Sequence, residues 1–455
     1  LNGGTIKDAG GNAAVLTLPA LGTLPGARAI YIDGVAPADF QVGAVVTAGD
    51  PVVAGYWNED NTSVKVTVPI ANDNSLASGK AYIQAKTTGE NFATIGGSTA
   101  IGAGDKGTSV TYTIAAGDLE GINAFNLGST VTITAILEDY AGGASGTGNT
   151  TTGTESATTL IIDQADPAAF SVGAVTTVTE PIVTGKWNLH NTAITVVVPI
   201  ATENTGPTLL NGNVQIIAKT ASSAYENIGN AETIAAGDRG GNKTLTIAAA
   251  ALEAIDNNIS DGDVITISAI ITDAAGNKTT GTASTTTLTV DQTAPTIDEV
   301  TTDANDGLTN PYKVGTTVDI KVSFNEAVVV VEGANKPALQ LDTDDTPGSV
   351  LSEAIYNSGT GSKFPLFRLT VATNNYSEDL NYRATTSLIL NDGTIRDAAG
   401  NNATLTLPAL DDAKSLKNKK TLWIDGVLPT IKTVGAVTTT GDTIVTGFWN
   451  KKNTG

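Results

Sequence analysis

The segment "FQVGAVVTAGDPVVAGYWNEDNTSVKVTVPIAN" (40–72) returns as "FSVGAVTTVTEPIVTGKWNLHNTAITVVVPIAT" (170–202) and starts again at "KTVGAVTTTGDTIVTGFWNKKNTG" (432–455). Inside it, "TSVKVTVPI" (62–70) and "AITVVVPI" (193–200) are short runs rich in Val, Ile and Thr. Similar runs are "NVQIIAK" (213–219), "DVITISAII" (263–271), "TTTLTV" (285–290) and "TVDIKVSF" (317–324). Many alternate with period two, as half-buried strands do, and Gly, Asn, Asp and Pro separate them. One short helical candidate, "IAAAALEAI" (247–255), is mirrored by "IAAGDLEGI" (114–122). Many short strands with frequent turn signals predict an all-β fold of two-sheet sandwiches with Greek-key connections.

A second repeat brackets the first. "LNGGTIKDAGGNAAVLTLPAL" (1–21) returns as "LNDGTIRDAAGNNATLTLPAL" (390–410), and the linkers "YIDGVAP" (31–37) and "WIDGVLP" (423–429) follow. The linker aspartates Asp33, Asp163, Asp291 and Asp425 lie 130, 128 and 134 residues apart (163 − 33, 291 − 163, 425 − 291). A unit of about 130 residues therefore occurs in two types, within the usual range of domain sizes. The expected organisation is the C-terminal part of a type-A domain (1–37), two type-B domains (38–166 and 167–295), a type-A domain (296–429) and the N-terminal part of a type-B domain (430–455). Both ends of the sequence then fall inside a repeat, as in a segment of a longer repetitive protein.

Bulk composition bounds the function. Net charge is −21, which disfavours nucleic acid and anionic membrane as partners and favours cations. There is no cysteine, so disulfides, thiolate metal sites and cysteine nucleophiles are excluded. No stretch reaches the ~18 apolar residues that span a bilayer, so no membrane insertion is expected within this segment. The single histidine, His190, cannot build a His-dependent nucleophile or a His-ligated zinc site. "GAGDKG" (102–107) fits G-x-G-x-x-G, but its counterpart "AAGDRG" (235–240) lacks the first Gly and no βαβ unit surrounds it. Trp57, Trp187 and Trp449 occupy one repeated address, "G-x-W-N-x-x-N-T", where a core anchor is expected.

These motifs carry a resemblance. "FNEAVVV" (324–330), "SLILNDGTIRDAAGNNATLTLP" (387–408) and "WIDGVLP" are similar to the Ig-like repeats of very large bacterial surface proteins, and "TDAAGN" followed by "VDQTAP" resembles the bacterial Ig-like and cadherin-like domains of adhesin stalks. The resemblance covers nearly the whole chain. It implies tandem Ig-like sandwiches arranged end to end as a rod, on the outside of a bacterial cell, with calcium at the linkers.

Calcium takes six to eight oxygen ligands, which a junction between sandwiches can assemble from a loop of one domain, the linker and a loop of the next. The repeated turn offers Asp8, Asp139, Asp273 and Asp397, with Asn12, Asn277 and Asn401 four residues on. The linker offers Asp33, Asp163, Asp291 and Asp425, and Asp166 adds a carboxylate before Pro167. The string "TDANDG" (302–307) contributes Asp303, Asn305 and Asp306, similar to cadherin-type calcium ligands. Each turn is expected to join the linker aspartate that follows it, with Asp273, Asp291, Asp303 and Asp306 the strongest set. The competing reading is structural, since D-x-A-G-N is also a good β-turn and an Asp ahead of Pro can merely end a strand.

Repetition of the same acids argues against an enzyme, which needs one asymmetric cleft. The expected role is a calcium-stiffened rod, either an adhesin stalk or a cell-surface fibre. Its partners are neighbouring repeats of the same chain. The alternative is a subunit that assembles with identical chains into a sheath, surface layer or filament. A carbohydrate-binding module ranks lower, because it needs exposed aromatics on a flat face.

Overall fold

In the first type-B domain, nine strands follow from the alternation of Val, Ile and Thr: β1 (Val45–Gly49), β2 (Tyr56–Trp57), β3 (Asn61–Pro69), β4 (Lys80–Thr87), β5 (Ala93–Ala100), β6 (Ser109–Ala115), β7 (Thr130–Glu138), β8 (Thr150–Thr152) and β9 (Leu160–Ile162). The computed structural model describes residues 5–14, 33–141, 147–202, 209–305, 308–345 and 351–454. One sheet has the order β1-β3-β6 and the other β2-β9-β7-β4-β5, with β8 added to β7. All pairings are antiparallel except β2 with β9, which run parallel with Trp57 opposite Ile162. Chain-adjacent strands switch sheets between β3 and β4 and again around β6, which makes the connections Greek-key.

Period two decides what is buried. Val64, Val66 and Val68 of β3 face inward to meet Ile83 and Ala85 of β4 and Val131, Ile133 and Ala135 of β7. The second type-B domain repeats this topology, with sheets built around Ala193–Pro199 and Val264–Thr272 and its own core from Val172 to Val290. The type-A domain has a third core, from Val300 to Ile424, but a different edge. Its strand Ser352–Ser358 pairs with both Ala338–Asp342 and Leu366–Thr370, so one hydrogen-bonded sheet continues around the core instead of breaking into two.

The helical candidates are single turns, Ala116–Glu120 and Ala249–Glu253, and each delivers its last residue to a tryptophan. Trp57 Nε1 donates to Glu120 Oε1 at 3.1 Å and Trp187 Nε1 to Glu253 Oε1 at 3.0 Å. Gln164 and Gln292, next to the linker aspartates, donate to the same oxygens at 2.7 and 2.6 Å. Both indoles are fully buried, whereas Trp449 is 68 % exposed. The residues that cover Trp57, Glu120 and Ile162, lie 63 and 105 positions further on (120 − 57, 162 − 57). Among the described residues no helix is long and apolar enough to cross a membrane.

Trp57→Ala or Trp187→Ala is expected to destabilise its own domain by about 3–5 kcal/mol in denaturant unfolding, through the cavity left in the core. Trp449→Ala in the same chain is expected to leave the unfolding curve unchanged.

Candidate metal centre at the domain junctions

The D-x-A-G-N turn is closed by its own aspartate. Asp273 Oδ1 accepts the backbone N–H groups of Ala275, Gly276 and Asn277 at 2.8–3.0 Å, and Asn277 Nδ2 donates to Asp273 Oδ2 at 2.9 Å. Asp397 binds Ala399, Asn401 and the Asn401 amide in the same way, and so does Asp8 with Gly10 and Asn12. In the first type-B domain the turn is longer, and Asn149 takes the place of the missing fourth-residue amide. Its Nδ2 donates to Asp139 Oδ2 at 2.9 Å and its N–H to Asp139 Oδ1.

The turns at Asp139, Asp273 and Asp397 each sit at the linker that precedes their domain. Asn277 Nδ2 donates to the backbone oxygen of Asp163 at 3.0 Å, Asn401 Nδ2 to that of Asp291 at 2.8 Å, and Asn149 Nδ2 to that of Asp33 at 3.1 Å. The W-N motif of the preceding domain completes the contact. Asn58 Nδ2 donates across the joint to the Ala275 carbonyl at 2.8 Å, and Glu59 N–H donates to Asn277 Oδ1. At the next joint Asn188 Nδ2 reaches the Ala399 carbonyl at 2.8 Å and Leu189 N–H reaches Asn401 Oδ1. Gly276 and Gly400 adopt φ of +100° and +98°, and a Cβ there would fall within 3 Å of Pro51 and Pro181 respectively.

At the joint between the second type-B domain and the type-A domain, carboxylate oxygens of Asp291, Glu326 and Asp397 lie within 4.8 Å of one another. Burial, then the charge of Asp397, holds Asp291 above the ordinary carboxylate range. Burial, followed by Asp397 and Asp291, does the same for Glu326. Asp261, which accepts the Gln292 N–H at 2.6 Å, adds a fourth negative charge that both groups sense. At such separations like charges repel by about 3–4 kcal/mol per pair at an effective dielectric near 20. The donor set is all oxygen, without His or Cys, and that chemistry fits a hard divalent cation such as calcium.

The structure therefore separates residues that the linear spacing groups together. Asp273 and Asp291 stand at opposite ends of their domain, because the nine-residue strand Val264–Thr272 runs between them, about 30 Å at ~3.4 Å per residue. Asp273 meets Asp163, and Asp291 meets Asp397. Asp303 follows the strand Ile297–Thr302 and so lies at the far end of the type-A domain, paired with Lys321 at 2.9 Å. Asn305 is there too, its carbonyl accepting the Tyr312 hydroxyl, and Asp306 lies outside the described residues. Asp166 is exposed beside the buried Pro167. Asp8 and Asp425 each show one half of a joint, a closed turn and a linker whose Oδ1 accepts the Val427 N–H. Glu326 and Asn149 were not signalled by spacing, although the charged "FNEA" after a strand and the sequence "GNT" after a stretched turn mark them in retrospect.

No family model matches the chain, and no curated protein matches it. Among solved structures, one described as "Structural insight into host cell surface retention of a 1.5-MDa bacterial ice-binding adhesin" is 15 % identical over 81 % of this chain and 96 % of that one, with a TM-score of 0.29. The FN1–FN3 domains of chicken CNTN1 are 12 % identical over 79 % and 95 %, with a TM-score of 0.20. Scores this low leave the reading of the site to its own geometry.

Because Asp291 and Glu326 titrate higher in the closed joint than in the unfolded chain, the stability linked to them is present in acid and lost as pH rises. In chelator, acidification into the upper part of the carboxylate range, at a pH where the unfolded chain's acids are still ionised, is expected to slow protease cleavage of the 291–296 linker relative to an unstructured control peptide. Calcium at pH 8 is expected to slow it as well; cleavage that accelerates on mild acidification contradicts this electrostatic account.

Proposed function

We propose that this chain is a structural repeat region of a large extracellular bacterial surface protein, a rod whose type-B to type-A joints are stiffened by calcium. The observation that carries the reading is the convergence of Asp291, Asp397 and Glu326, from the linker and from two loops of the following domain, at a joint already closed by the Asn188 amide. A cation there neutralises charges that otherwise push the joint apart. Half-buried sites of this kind suit the high calcium outside cells, where modules bind at about 10⁻⁴–10⁻³ M. The role proposed is mechanical, not catalytic, and the partners are neighbouring repeats of the same chain. Burial of Trp57 and Trp187 counts against carbohydrate binding through these rings.

Glu326→Gln is the cleanest test, because Glu326 takes no part in closing the turn. Calorimetric titration of the chain with calcium is expected to show binding that this substitution weakens about tenfold or more, or roughly 1.4 kcal/mol, with no loss of domain stability in chelator. Equal affinity in the variant refutes this site. Negative-stain imaging of native material separates the stalk, seen as single threads, from a self-assembling sheath, surface layer or filament, seen as lattice or helical order.

A further inference from the structure

The two complete joints share one lock but differ in charge. Four residues beyond the paired valines Val66, Val196 and Val322 stand Ile70, Ile200 and Glu326. Ile70 and Ile200 are buried in type-B cores, so only the type-A domain offers a carboxylate at this address. The second acid follows the same division. Gly262 donates its N–H to Val290 and Gly128 donates to Ile162, which makes Leu127 the counterpart of Asp261. At the joint between the two type-B domains an isoleucine and a leucine thus replace two acids.

Of the remaining acids there, Asp273 is bonded to protein donors on both oxygens and Asp163 on one. Asp273 receives three backbone N–H groups on one oxygen and the Asn277 amide on the other. Asp163 receives the same amide on Oδ1 at 3.2 Å and on its carbonyl oxygen at 3.0 Å. Asp163, Asp273 and Asn277 are all buried, as is Asn58. The socket that meets the turn is pre-shaped. Asn58 N–H is held by Asn61 Oδ1, and the Asn58 amide also donates to the Pro51 carbonyl. Asn450 makes the same two bonds, to Asn453 and Thr443.

We propose that the joint between the two type-B domains is a self-contained lock that holds its angle without any cation. It rests on the reading of the other joint as cation-dependent only for the contrast, not for the lock itself. The absence of native cysteine permits a direct test in the full chain. One variant carries Thr113→Cys and Thr246→Cys across the first joint, and another carries Thr246→Cys and Thr370→Cys across the second, all at exposed positions. Spin-label distance distributions are recorded in millimolar calcium and in EDTA.

The first pair is expected to keep one narrow distribution in both solutions, and broadening in EDTA overturns the proposal. The second pair is expected to broaden in EDTA; if it does not, the calcium reading fails while the lock stands. Gly276→Ala, whose Cβ would lie 2.6 Å from Pro51 Cγ, is expected to broaden the first distribution in both solutions and leave the second alone. Asn58→Ala is expected to do the same. An unchanged width in both variants also overturns the proposal.

Discussion

Everything at the joints depends on one side-chain amide that reaches out of one domain into the backbone of the next. Asn58 and Asn188 each donate to two carbonyls, one in their own loop and one in the neighbour's turn. A buried carbonyl left unpaired costs about 1–3 kcal/mol, so the turn carbonyl and the amide enforce one another. Asn61 and Asn191 hold the donor loops by bonds made within their own domain, so the aim of the amide does not rest on the turn alone. Pre-aiming lowers the entropy lost on docking, and a small contact patch can then set an angle.

The tryptophan and this asparagine are adjacent for a reason. The indole roots the two-residue strand β2 in the core, where its Nε1 is met by a glutamate that also takes the amide next to the linker aspartate. The core anchor, the linker and the interdomain donor are thereby tied into one hydrogen-bonded cluster. Displacement of the linker therefore disturbs the core of its own domain.

The alternating strands, the all-β class and the buried tryptophans of the complete domains were legible in the sequence, because period two and self-similarity are local signals. Which acids meet was not. Asp273 and Asp291 are 18 residues apart in the chain yet sit at opposite poles, while Asp163 and Asp273 are 110 apart and touch the same amide (291 − 273, 273 − 163). A strand carries the chain from one pole to the other, so short separations across a strand mean distance and long ones can mean contact. Asp303 misleads for the same reason, one strand beyond the linker that precedes it. Asn149 is hidden by a turn of different length, and Glu326 by the fact that its counterparts in the type-B domains are core isoleucines.

That last exchange shows how an array of similar domains acquires unlike hinges. The lock is common to both joints, so it cannot distinguish them; the address after the second long strand can, because it lies beside the linker in every unit. An isoleucine there extends the core and leaves the joint to its hydrogen bonds. A glutamate withdraws that apolar contact and adds a charge beside two aspartates, which trades packing for electrostatic sensitivity. Under the proposal made for the two joints, the order in which type-A and type-B domains follow one another sets where along the chain the solution conditions are felt, without any change to the fold or to the lock.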